Sequence, residues 1–181
     1  MELETDKSTL RNLSALVDFG NLINSSLDTK FILNNLLLTS FGKFHTTKGL
    51  FAANVNGELK YLLSKGINDK IEFNFPNVTV DNYKTNNEFQ NFLIRFKLIH
   101  YQEVYSTNKL IGILFLGERL SGEKYDNDDV KFLQTLLNIT ELYMRVKFFD
   151  GNTVTYTTFT VNPQSSYVDP YRIPNDDFYV R

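Results

Sequence analysis

The chain has no cysteine, four prolines and two histidines among 181 residues. The missing cysteines remove disulfides, thiolate nucleophiles and cysteine-held metals or clusters together. His45 and His100 stand far apart with no matched spacing, so they read as structural or exposed side chains and not as metal ligands or general bases. No apolar run approaches the ~20 residues needed to cross a bilayer. The acidic, polar opening Met1-Glu2-Leu3-Glu4-Thr5-Asp6 does not read as a secretory leader, so a cytoplasmic protein without a membrane partner is expected. Charge of one sign is lacking as well: the net charge is −2 with acids and bases interspersed, which leaves no basic field for nucleic acid.

What the chain does have is 42% hydrophobic residues, enough for one core, and the expected organisation is a domain over 1–147 with an extended tail over 148–181. The most informative stretch runs from Asn108 to Arg145. In its strand, Leu110, Gly112, Leu114 and Leu116 point one way and Ile111, Ile113 and Phe115 the other, so neither face is polar and both must be covered. The helix that follows opens on Asp126 as N-cap, Asp129 near the positive end of the dipole, and Tyr125 and Val130 spaced as a hydrophobic staple.

Upstream, Ser8 or Thr9 can cap a helix to about Asn24. One of its stripes carries Leu10, Leu13, Val17 and Gly20, and a second carries Ala15, Phe19 and Leu22. A second helix starts at Asp28 with Leu27 and Ile32 as its staple, and sends Ile32, Leu33, Leu36, Leu37 and Phe41 inward as far as Phe44. Lys48 to Val55 and Glu58 to Ser64 read as a hairpin, because Asn56-Gly57 between them accepts positive φ at both residues. Ile71 to Phe75 alternates as a short half-exposed strand ending at Pro76. After an Asn-rich loop, Asn87 to Phe96 has Phe89, Phe92, Leu93 and Phe96 at helical spacing, and a strand follows from about Leu98 to Tyr105. Strands in hairpins and not in βαβ units make this α+β with an antiparallel sheet.

The Ser25-Ser26-Leu27-Asp28 lead into the second helix, the hairpin ending in Gly66-Ile67, and Leu110-Ile111-Gly112-Ile113-Leu114-Phe115-Leu116-Gly117 followed by Tyr125, Asp128-Asp129 and an apolar helix resemble a GAF domain. That module senses small molecules in bacterial signalling proteins and in cyclic-nucleotide phosphodiesterases. The resemblance covers about residues 10–147 and implies a six-stranded antiparallel sheet with helices on both faces, a ligand pocket on one face, and terminal helices on the other that often dimerise. It departs from the family in two ways. The Asn-Lys-Phe-Asp-Glu signature of cyclic-nucleotide-binding members is absent, since Asn108-Lys109 runs directly into the central strand, and members that use a cysteine for bilin attachment or for methionine-sulfoxide reduction have no counterpart here.

The candidate ligand-binding residues are Phe51, Phe73, Phe75, Tyr83, Phe89 and Phe92, with Arg95 as the guanidinium able to hold a carboxylate or phosphate. The plainer reading is that these aromatics fill the space between the sheet and a short helix. The candidate dimer interface is Leu16 and Phe19 on the first helix with Phe132, Leu136, Ile139 and Tyr143 on the last, because one chain hides one apolar stripe of such a helix more easily than two. The expected layering puts the second helix and the Phe89 helix on one face and the terminal helices on the other.

Other motifs dissolve on inspection. Asp126-Asn127-Asp128-Asp129 lacks the glycine and glutamate of a calcium loop, having Lys131 and Leu137 there. The Gly117 to Gly122 turn lacks the lysine of a phosphate loop. With no nucleophile, base or metal set, the reading is a non-enzymatic sensory or regulatory domain without a cofactor, expected to bind a small molecule, to form a homodimer and to address an effector protein. A dimerisation or protein-docking scaffold with a filled pocket is the alternative. The tail is expected to be either a docking arm or a loose terminus.

Overall fold

The structure, a computed structural model, describes residues 2–26, 28–67 and 75–148, with side chains described for 9–26, 28–67 and 75–142. Among these residues the order is α1 (Glu2–Ile23), α2 (Thr29–Phe44), β1 (Gly49–Val55), β2 (Glu58–Lys65), β3 (Val78–Thr79), α3 (Asn87–Phe96), β4 (Leu98–Ser106), β5 (Lys109–Gly117) and α4 (Asn127–Phe148). The expected tail beyond Phe148, Leu27, Phe73 and the side chain of Tyr143 lie outside what is described.

Local chemistry sets the ends of most elements. Asp28 caps α2 by accepting from the Phe31 amide at 3.0 Å, and Asn86 caps α3 by accepting from the Phe89 amide at 2.9 Å. At α4 the cap is reciprocal: Asp126 accepts from the amides of Asp128 and Asp129, while the Asp129 carboxylate accepts from the Asp126 amide at 3.0 Å. Asn56 and Gly57 both have positive φ, 55° and 89°, and turn β1 into β2 as expected. The first helix is longer than its capping signals imply. It runs through Ser8 and Thr9 from Glu2, because Glu2, Leu3 and Glu4 are good helix formers.

The strands form one antiparallel sheet in the order β3-β2-β1-β5-β4. Among the described residues five strands stand where six were expected. Residues 71–74 of the expected strand before Pro76 lie outside the description, and the pairing on β2 is made after the proline, by Val78 and Thr79 opposite Leu59 and Glu58.

Both faces of β5 are covered, as its two-sided apolar pattern requires. Ile113 and Phe115 join Leu50 and Ala52 of β1 under α3. On the opposite face Phe51 pairs with Leu114 and its ring lies against Gly112, and the space above Gly49 is closed by Leu37 and Phe41 of α2 together with Leu116. There Phe44 of α2 packs edge-on against Phe132 of α4 at 5.9 Å. The layering therefore differs from the expectation: α2 shares its face with α4, α1 packs on α2, and α3 covers the other face. An irregularity where Val104 pairs with Gly112 and Tyr105 with Leu110 leaves Ile111 extra. This is why Leu110, placed by alternation with Leu114, packs instead with Ile113 and Phe115. No helix of the described residues is long and apolar enough to cross a membrane.

Candidate functional site

The site is built on the α3 face. Phe89 packs against Phe115, Phe75 and Phe92 with ring centroids 5.6, 5.7 and 6.1 Å apart, and Phe92 meets Phe96 at 4.9 Å. Phe89 is fully buried, and Tyr83, Phe92 and Phe96 are nearly so. These rings pack together between sheet and helix.

Open space lies beside this cluster, toward the β4 edge of the sheet. A cavity of about 640 Å³ is walled by α3 and β4, with Leu93, Ile94, Leu98 and Phe115 as apolar lining and Tyr83, Lys84, Tyr101 and Lys97 among its polar residues. The Asn-rich loop presents the first two of those polar groups. The Asn82 carboxamide accepts from the Thr79 amide at 2.9 Å, the Asn86 amide donates to Asn82 O at 2.8 Å, and Gln90 Nε2 holds Tyr83 O at 2.8 Å.

Behind the lining residues Tyr83 and Lys84, at one corner of the cavity, three side chains meet on Glu103. Tyr83 Oη and Lys84 Nζ reach Glu103 Oε1, the latter at 2.7 Å, and Tyr105 Oη donates to Oε2 at 2.9 Å. Burial pushes the Glu103 carboxyl up, but hydrogen bonds from Lys84, Tyr83 and Tyr105 together hold it below its ordinary value. Burial, then the bond to Glu103, raises the Tyr83 phenol, and the bonds to Glu103 and Tyr83 raise Lys84. Near neutral pH the corner thus holds one carboxylate, one ammonium and intact phenols. The Lys84 ammonium also stands 5.4 Å from the Tyr83 ring and 5.9 Å from the Tyr101 ring.

Solved structures share this architecture. The GAF domain of an Acinetobacter phosphoenolpyruvate-protein phosphotransferase matches 75% of this chain and 94% of its own, with a TM-score of 0.56 and 13% identity. The GAF domain of a protein assigned as a sensor histidine kinase in Pseudomonas syringae pv. tomato matches 92% of this chain and 99% of its own, with a TM-score of 0.55 and 14% identity. The chain has the GAF fold. No protein-family model and no curated protein matches it.

Within this GAF fold the expected ligand residues divide. Tyr83 lines the cavity, and Phe75, Phe89 and Phe92 belong to the packed cluster beside it. Phe51 is corrected to the opposite face of the sheet, against Gly112, since its neighbours Leu50 and Ala52 take the α3 side. Arg95 is exposed on α3 with its guanidinium 5.2 Å from the Phe96 ring, and it is not among the residues lining the cavity.

The expected dimer residues divide too. Phe19, Phe132 and Leu136 are buried in the chain's own core and offer no surface, while Leu16 and Ile139 are half-buried. Among the described side chains of α1, Leu10, Leu13, Val17 and Leu22 are the exposed large apolar residues. Both stripes of that helix are apolar, and the larger Phe19 with Ile23 took the inward place.

Lys84, Tyr101, Glu103 and Tyr105 were missed. The period-two run Tyr101-x-Glu103-x-Tyr105 does place three polar groups on one face of a strand, a readable signal. Lys84 comes from the loop, where no periodicity applies. His100 lies on the other face of β4, stacked on Tyr125 with centroids 4.4 Å apart, and its Nε2 is buried without a hydrogen-bond partner among the described residues. Among those residues no group of three or more His, Asp or Glu side chains is placed to hold a metal.

Proposed function

We propose that this domain is a non-enzymatic sensory or regulatory module that binds a small molecule in the cavity between α3 and β4 and relays binding to its long terminal helices. The cavity carries the reading: it is of ligand size, has apolar walls from Leu93, Ile94, Leu98 and Phe115, and has Tyr83, Lys84 and Tyr101 as neighbouring polar groups. The corner suits binding more than acid–base chemistry, because Glu103 accepts from three donors and Tyr83 is held as a phenol well above neutrality. Strand β4 supplies the relay. Tyr101 lines the cavity and Glu103 holds the lining residues Tyr83 and Lys84, while His100 stacks on Tyr125 at the start of α4 and Gln102 donates to Gln134 of α4 at 2.7 Å. A ligand that shifts β4 therefore acts on α4 directly, and from there on a partner copy or an effector protein.

A thermal-shift screen of metabolites against the whole chain tests this. A true ligand raises the Tm by favouring the native state, and Tyr101→Ala removes the shift. No shift across a broad set, on protein carrying no co-purified molecule, overturns the reading.

The packed aromatic cluster and the exposed stripe of α1 favour a second reading, a GAF-fold scaffold that only self-associates or docks a protein. In that case the screen stays silent while substitutions on α1 change the assembly.

A further inference from the structure

We propose that the corner formed by Tyr83, Tyr101 and Glu103 is a receptor for an organic ammonium ion with an apolar body, and that Lys84 is its internal occupant. The inference rests on the cavity being a ligand site and names the chemistry of the ligand's charged end.

The composition of the corner is that of a cation site. The two rings stand 6.1 Å apart at 89°, which makes two walls whose π faces carry partial negative charge. Glu103 supplies the counter-charge, and it is positioned by more than the cation: the Tyr83 and Tyr105 hydroxyls donate to its two oxygens. The replaceable part is Lys84. Its side chain is 56% exposed on a four-carbon stem, so its ammonium hydrates as soon as it leaves. A ligand ammonium takes over the same carboxylate and the same ring faces, and its body enters the apolar part of the cavity against Leu93, Leu98 and Phe115.

An anion fits the same place poorly. Both lysines of the cavity are already paired, Lys84 with Glu103 and Lys97 with Glu118 at 3.7 Å. An incoming carboxylate has to break one of those pairs and then lies beside the carboxylate it has unpaired, facing the negative ring faces. An incoming cation leaves the charge balance of the corner unchanged.

The test is a calorimetric and NMR titration of the whole chain with phenethylamine, an aralkyl ammonium at neutral pH, and with 3-phenylpropionate, an anion of similar body. Removing the internal competitor raises apparent affinity by the inverse of the fraction of time the corner stands open, so Lys84→Ala binds phenethylamine about tenfold more tightly than the parent. Lys84→Met, which keeps the stem and loses the charge, gives the same gain. Adding Glu103→Gln to either variant abolishes it, with circular dichroism confirming that the fold persists. Equal or weaker amine binding in the Lys84 variants, amine binding that survives Glu103→Gln, or a preference for 3-phenylpropionate overturns the proposal. If amines fail in every variant while another metabolite shifts the Tm, the ammonium assignment falls and the sensory reading stands. If nothing shifts it, both fall.

Discussion

His100 shows how one side chain sets a pH limit on this fold. Burial holds its imidazole below the ordinary value, against the pull of the Asp129 carboxylate, and Arg119 shares that neighbourhood through its 3.0 Å bond to Asp129 and its place over the Tyr125 ring. The folded state therefore prefers neutral histidine. Its contribution to stability is whole above the unfolded pKa of about 6.5, shrinks as pH falls from there toward the lower folded value, and is flat below it. His100→Phe keeps a ring on Tyr125 and removes both the proton and the unpartnered Nε2. The expected outcome is that urea denaturation of the parent shows lower stability at pH 5.5 than at pH 7.5, while the variant loses most of that difference. An unchanged difference in the variant would place the pH dependence on other groups. None of this was legible in the sequence, where His100 is one of two isolated histidines, because its burial depends on Tyr125 arriving from another element.

At the scale of elements, the central strand and the start of α4 fix the layers. Gly112 is where β5 passes Phe51: a Cβ built there would come within 2.7 Å of the Phe51 ring and 2.9 Å of Ala52 O. Gly112→Ala forces the ring or the backbone to move and is expected to cost about 1–3 kcal/mol, read as a lowered urea midpoint with an unchanged m-value. The start of α4 is held by the reciprocal Asp126 and Asp129 cap and by Arg119, which donates to Phe44 O at the end of α2 as well as to Asp129. Asp126→Ala leaves two amides without their acceptor and is expected to cost about 1 kcal/mol, measured as a fall in Tm. Asp126→Asn, which keeps an acceptor, recovers most of it. These features were largely readable. Asn56-Gly57, Asp28 and Asp126 each carry a local rule that the fold obeys, and α3 was bounded to the residue. What was not readable is which face each helix takes, since α2, α3 and both stripes of α1 are apolar and the choice is made by packing between elements distant in sequence.

For the whole molecule the open question is what the exposed side of α1 meets. Leu10, Leu13 and Val17 are 64%, 57% and 52% exposed, and their spacing of three and then four continues to Gly20, over which nothing lies within 4 Å. That is the a/d spacing of a coiled-coil seam, with a small residue where a second backbone can come near. Leu10, Leu13 and Val17 are exposed while Phe19 and Ile23 are buried, so covering the seam needs no rearrangement of the core. We propose self-association through this stripe, in place of the surface of Leu16, Phe19, Phe132, Leu136, Ile139 and Tyr143 that the sequence favoured, of which Phe19, Phe132 and Leu136 are buried. Leu13→Glu and Val17→Glu put a charge into the seam without touching the buried residues. Light scattering coupled to size exclusion should show the parent as a dimer and both variants shifted toward the monomer mass, with each domain's circular dichroism unchanged. A parent that runs as a monomer at every concentration excludes the stripe as a self-association surface. A dimer unaffected by either charge places the interface elsewhere on the chain.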